Sequence, residues 1–167
     1  MSVSYLGSLL SFTYTENNRK ERSVIFMLYV RQVEDIIKDT LLEHQLDINY
    51  EINNKLPAPM SYNVSTNTVN FNYLQINGYM SKIKVNEPEE NVVKIILYHE
   101  IGYYLTFKKH KHDLRTLMYG GDEEIEELKA VIETNAWNYG RALVPEHLVE
   151  TYDLVREKDE RLLQGLK

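Results

Sequence analysis

Val92-Val93-Lys94-Ile95-Ile96-Leu97-Tyr98-His99-Glu100-Ile101-Gly102-Tyr103-Tyr104-Leu105 is the stretch that decides how this 167-residue chain folds. Apolar residues recur at helical spacing over much of its circumference, which marks a central, largely buried helix. Upstream, Glu87-Pro88-Glu89-Glu90 sets proline and acids where a helix N-terminus is electropositive, so the helix is predicted from about Glu89 to Lys109. Earlier, Val24, Ile25, Leu28, Tyr29, Val33, Ile36, Ile37, Leu41 and Leu42 predict one long amphipathic helix from about Ser23 to Gln45. Between the two helices, Ile48-Asn49-Tyr50-Glu51-Ile52 alternates as a half-buried strand does. Thr68-Val69-Asn70-Phe71-Asn72 reads as a second strand, and Leu56-Pro57-Ala58-Pro59 breaks the ladder between them. Downstream, a helix is expected over Glu123 to Leu143, closed by Val144-Pro145, and a last amphipathic helix from Pro145 to about Leu163. Helix, short strands, then helices make an α+β class with segregated elements, mostly helical with a small antiparallel sheet. The whole chain, 1–167, reads as a single domain, with residues 1–22 as an N-terminal extension of ambiguous pattern.

Composition narrows the function classes. The chain has no cysteine, which removes disulfides, thiolate zinc sites and cysteine nucleophiles together. A formal charge of -6 argues against direct nucleic-acid binding, because phosphate contacts need clustered Lys and Arg. Met1-Ser2-Val3-Ser4-Tyr5-Leu6 lacks the basic flank of a signal peptide, and no apolar run approaches the ~20 residues of a membrane span. A cytoplasmic protein without a membrane anchor is expected.

The chemistry-bearing residues sit in the middle of the central helix. Residues i and i+4 share a helix face. In His-Glu-x-x-His that spacing lets two imidazoles bind one zinc ion, while the glutamate polarises the metal-bound water. His99 and Glu100 supply the first half of the pattern, but Tyr103 stands where the second histidine belongs. A phenol titrates near pKa 10 and must usually lose its proton to bind zinc. Taken alone, His-Glu is also what a core-packed histidine beside a helix-surface glutamate looks like. His110 cannot replace the missing ligand if the helix continues, since it would lie ~16 Å along the axis from His99. His110 and His112 read instead as a solvated basic segment favoured by the helix C-terminus, and His44 and His147 as surface residues. Tyr103, Tyr104, Trp137 and Tyr139 fit core positions better than the wall of a groove. Gly102, mid-helix, points to close packing, because a helix-interior glycine costs ~1 kcal/mol relative to alanine.

A second stretch makes the pattern specific: Glu133-Thr134-Asn135-Ala136-Trp137-Asn138-Tyr139-Gly140-Arg141-Ala142-Leu143-Val144-Pro145. Together with His99-Glu100-Ile101-Gly102, it resembles the ImmA/IrrE family of metallopeptidases. Their active helix reads His-Glu-Leu-Gly-His, and a later helix carries a glutamate, an alanine three residues on and a Leu-Met-Pro or Leu-Ile-Pro ending. The preceding long helix, the Leu56-Pro57 element and the strand ending in Asn72 are also similar, so the resemblance covers roughly residues 23–150. It implies a zincin-like fold, His99 and Glu133 as zinc ligands and Glu100 as general base, with Tyr103 in the second ligand's place. It also implies a narrow protein substrate, typically a DNA-binding repressor of a phage or mobile element.

Two functions stay open on the sequence. One is a zinc-dependent endopeptidase with an irregular site, acting on a repressor-type regulator. The other is a pseudoprotease that binds such a regulator without cutting it.

Overall fold

The structure is a computed structural model that describes residues 2–3, 28–110 and 114–164. Helix α1 spans Val30–Glu43. Residues 23–27 of the predicted first helix lie outside the described residues, as does the N-terminal extension apart from residues 2–3. The helix starts where Gln32 Oε1 accepts the Tyr29 backbone N–H (2.9 Å). It stops at Gln45, whose φ of 52° turns the chain back so that Leu46 N–H reaches Leu41 O (2.9 Å).

Among the described residues, four short strands follow the order β1-β3-β4-β2, with β1 at Ser2–Val3, β2 at Asn49–Ile52, β3 at Met60–Asn63 and β4 at Thr68–Phe71. β3 pairs antiparallel with β1 and β4, but β2 runs parallel to β4, with Asn49 opposite Thr68 and Ile52 opposite Phe71. The sheet is therefore mixed, not antiparallel as the sequence suggested. The chain leaves β2 through the segment around Pro57 and Pro59, passes the place β4 will fill, and enters β3 one strand further on. β2 also differs from the half-buried strand expected of its alternation. As an edge strand all four of its residues are exposed, and burial falls on Ile48 just before it. β3 and β4 are covered on both sides, with Met60, Val69 and Phe71 fully buried.

Asn72 ends β4 and begins α2, Tyr73–Ile83, a helix not foreseen in the sequence. Its side chain accepts from the backbone N–H of Leu74 (3.1 Å) and Gln75, as an N-cap does, while its Nδ2 donates to Asn54 O and Leu56 O. One side chain thus starts a helix and pins the proline-bearing loop.

Helix α3 spans Glu89–Lys109, as predicted, and is the centre of the core: Val93, Ile95, Leu97, Ile101 and Tyr103 have no exposed surface. After the short helix α4, Thr116–Tyr119, helix α5 spans Asp122–Arg141, and a 3-10 turn over Glu146–Leu148 leads into α6, Val149–Gln164. The fold is α+β and mostly helical. Among the described residues no helix is long and apolar enough to cross a membrane.

Candidate functional site

Helices α3 and α5 lie antiparallel at backbone contact, and two glycines permit it. A Cβ on Gly102 of α3 would fall 1.9 Å from Ala136 O of α5. One turn away, a Cβ on Gly140 of α5 would fall 2.4 Å from Tyr98 O of α3. The close-packing reading of Gly102 holds. Along this seam the side chains singled out in the sequence meet: His99 against Trp137 between the two contacts, and Tyr103 against Glu133 just beyond the Gly102 one.

His99 is fully buried. Its ring stacks on the Trp137 indole (centroids 4.0 Å, interplanar 30°) and takes the Tyr103 ring edge-on (4.9 Å, 69°). Its Nε2 lies 3.4 Å from Glu133 Oε1, close enough for an ion pair, but neither ring nitrogen has a hydrogen-bond partner. Burial, helped by the Arg156 charge, lowers the His99 pKa to about 3, so the imidazole is neutral near pH 7 and the contact is not a salt bridge.

Glu133 keeps some exposure, with 23% of its side chain accessible. Both of its oxygens are engaged. Oε1 accepts the Trp137 indole N–H (2.7 Å), and Oε2 accepts the Tyr103 hydroxyl. Burial raises the Glu133 pKa, opposed by these two donors and by Arg156.

Glu100 does not join this group. Its Oε2 accepts the Tyr62 backbone N–H of β3 (2.7 Å), which turns the carboxyl toward the sheet, while His99 meets α5. Its Oε1 has no partner, and desolvation raises the Glu100 pKa to about 8 despite the Tyr62 hydrogen bond. Adjacent on α3, His99 meets α5 and Glu100 meets β3.

The donor set can be tested against the zinc ion that the motif implies. At bonds of ~2.0–2.1 Å, two ligand atoms on a tetrahedral zinc stand about 3.3 Å apart. His99 Nε2 and Glu133 Oε1, at 3.4 Å and with the imidazole otherwise unpartnered, match that spacing. The rest does not fit. Tyr103, in the second ligand's place, donates its hydroxyl hydrogen bond to Glu133, and Trp137 donates to the same Oε1 that would bind the metal. Among the described residues no three His, Cys, Asp or Glu side chains converge. Two protein ligands, one already carrying two hydrogen bonds, do not make a structural or catalytic zinc site, which needs at least three.

Of the other histidines, His110 ends α3 and meets the Tyr139 hydroxyl (2.6 Å) on the surface, as a solvated terminus should. His112 lies outside the described residues. His147 is exposed, while His44 is half-buried and contacts the Tyr98 hydroxyl (3.2 Å). Two further participants, Trp137 and Tyr152, complete the surroundings of the cluster. Trp137 sits four residues after Glu133, the spacing at which one helical side chain reaches another. Tyr152 of α6 donates its hydroxyl to Trp137 O (3.0 Å) and had no local signal at all. Set against known protein families, characterised proteins and solved structures, the chain matches none.

Proposed function

We propose that this chain is a metallopeptidase-type scaffold of the ImmA/IrrE kind, with a zincin-like arrangement, whose metal centre has been replaced by a hydrogen-bonded side-chain cluster. It works by binding a regulatory protein in the cytoplasm rather than by cutting it. The observation that carries this reading is the Tyr103 hydroxyl on Glu133 Oε2, which with the Trp137 indole occupies both oxygens of the carboxylate that lies beside His99. Full burial of His99 and Glu100 supports it, since a peptidase must bring a substrate carbonyl and a water to these groups. The resemblance to repressor-directed peptidases names the partner class: a DNA-binding regulator of a phage or mobile element.

A specific observation favours a second reading, an irregular zinc endopeptidase. It is the 3.4 Å spacing of His99 Nε2 and Glu133 Oε1 with the imidazole unpartnered. Metal analysis of the purified protein separates the two. The unmodified chain is expected to retain well under one zinc per molecule after dialysis against micromolar zinc. Tyr103→His, which restores a second imidazole on the same face, is expected to retain about one. About one zinc in the unmodified chain, lost on His99→Ala, would reject the metal-free reading and turn attention to Glu100 as the base.

A further inference from the structure

We propose that the cleft between the C-terminal end of α2 and the last turns of α6 is a binding site for an acidic peptide segment that carries an apolar side chain. The cleft encloses about 330 Å3 and is lined by Lys82, Ile83, Lys84, Lys158, Arg161 and Leu162. Four of these are cations and none is an acid, in a chain whose formal charge is -6. Field lines from a cationic recess in an acidic protein steer an anionic partner to one place and repel it elsewhere. A long polyanion such as a nucleic acid would meet the negative remainder of the surface, whereas a short acidic segment would not.

The recess is built rather than accidental. Lys158 Nζ donates to the carbonyls of Ile83 (2.8 Å) and Lys84 (3.1 Å), closing the C-terminus of α2 with a positive charge, which the helix dipole favours. Beneath it, the Tyr79 hydroxyl donates to the buried Asp159 carboxyl (3.0 Å), a second polar link between α2 and α6. Lys84 itself is left-handed, with φ 48° and ψ 62°, at the position after the helix where glycine is the usual residue. A lysine there carries a backbone penalty that glycine would avoid. Arg161, which also pairs with Glu157, and Leu162, 39% exposed, complete a rim of charge around an apolar patch. The volume sits at the lower end of ligand clefts, room for one or two side chains rather than a folded surface.

The site shares no lining residue with the His99–Glu133 cluster and stands whether or not that cluster takes a metal. The test is fluorescence anisotropy of a labelled ten-residue peptide of aspartate and glutamate with two central leucines, titrated with the full chain. Saturable binding that weakens with added salt is expected. It should fall about tenfold in Lys84→Glu combined with Arg161→Gln, and severalfold when the leucines become serines. Lys84→Gly is the decisive control: relief of the left-handed backbone should raise the thermal midpoint while binding still weakens. Equal affinity of wild type and both variants would overturn the proposal. So would binding of only anionic phosphatidylserine vesicles or a single-stranded oligonucleotide, or salt-sensitive self-association of the chain abolished by the same double variant.

Discussion

Gly102→Ala is expected to destabilise the protein by about 3–5 kcal/mol, the range in which core overpacking becomes severe. The added methyl would sit 1.9 Å from the Ala136 carbonyl oxygen and 2.7 Å from its carbon. Neither is a flexible side-chain tip that can swing away. Helices α3 and α5 would have to separate by more than an ångström along the seam where His99 stacks on Trp137 and Tyr103 reaches Glu133. Alanine's better helix propensity returns only ~1 kcal/mol. The matching control is Gly78→Ala in α2, where a Cβ meets nothing within 4 Å. There the same propensity gain is unopposed, and about 0.5–1 kcal/mol of stabilisation is expected. Urea denaturation followed through the fluorescence of the one tryptophan, Trp137, reports both variants. If the two substitutions shifted the midpoint in the same direction, the close approach of α3 and α5 would not be what fixes the cluster.

How much of this was legible in the sequence follows from which signals are local. Helix α3 came out residue for residue because its start carries proline and two acids, and its length is apolar on nearly every side. Gly102 was legible as a packing residue because a helix-interior glycine is costly unless space demands it. The i to i+4 spacing of His99 with Tyr103, and of Glu133 with Trp137, was also visible, so both halves of the cluster could be read as faces. Their meeting could not, since the antiparallel register of α3 on α5 is set by Gly102 and Gly140 together. Helix α2 was missed because its start depends on one side chain: Asn72 looks like the end of a strand, and it is that as well as an N-cap. The parallel pairing of β2 with β4 had no local signal, since alternation predicts a strand and not its partner. The Tyr62 N–H that holds the Glu100 carboxyl comes from a strand 38 residues away, a contact with no local signal.

The protein is expected to lose stability as pH rises through neutrality, and Asp159→Asn should reduce that loss. Asp159 of α6 is 1% exposed and holds the Tyr79 hydroxyl at 3.0 Å. Burial, reinforced by the nearby charges of Glu133 and Glu160, raises its pKa to about 7 against the Tyr79 hydrogen bond. A folded-state value above the unfolded one means that the native protein holds more protons between roughly pH 4 and pH 7. The stabilisation is complete below the unfolded value and is lost as pH climbs through about 7. Glu100, raised to about 8, acts in the same direction over a slightly higher window. His99, lowered to about 3, acts in the opposite direction: its contribution is present above the unfolded value near 6.5 and is lost as pH falls toward 3. Two groups act one way and one the other, so stability should fall on both sides of a maximum at about pH 4. Asparagine keeps an oxygen for Tyr79 but brings an amide N–H2 that must find acceptors, at a cost of about 1 kcal/mol. Asp159→Asn should then be less stable than wild type by about 1 kcal/mol at pH 4.5 and more stable by about 2 kcal/mol at pH 9, a swing of ~3 kcal/mol. Paired urea titrations at those two pH values measure the swing directly. A difference between the two proteins that stayed constant from pH 4.5 to 9 would mean that Asp159 does not change protonation in the folded protein, and that its burial beside Tyr79 is offset by groups other than its own proton.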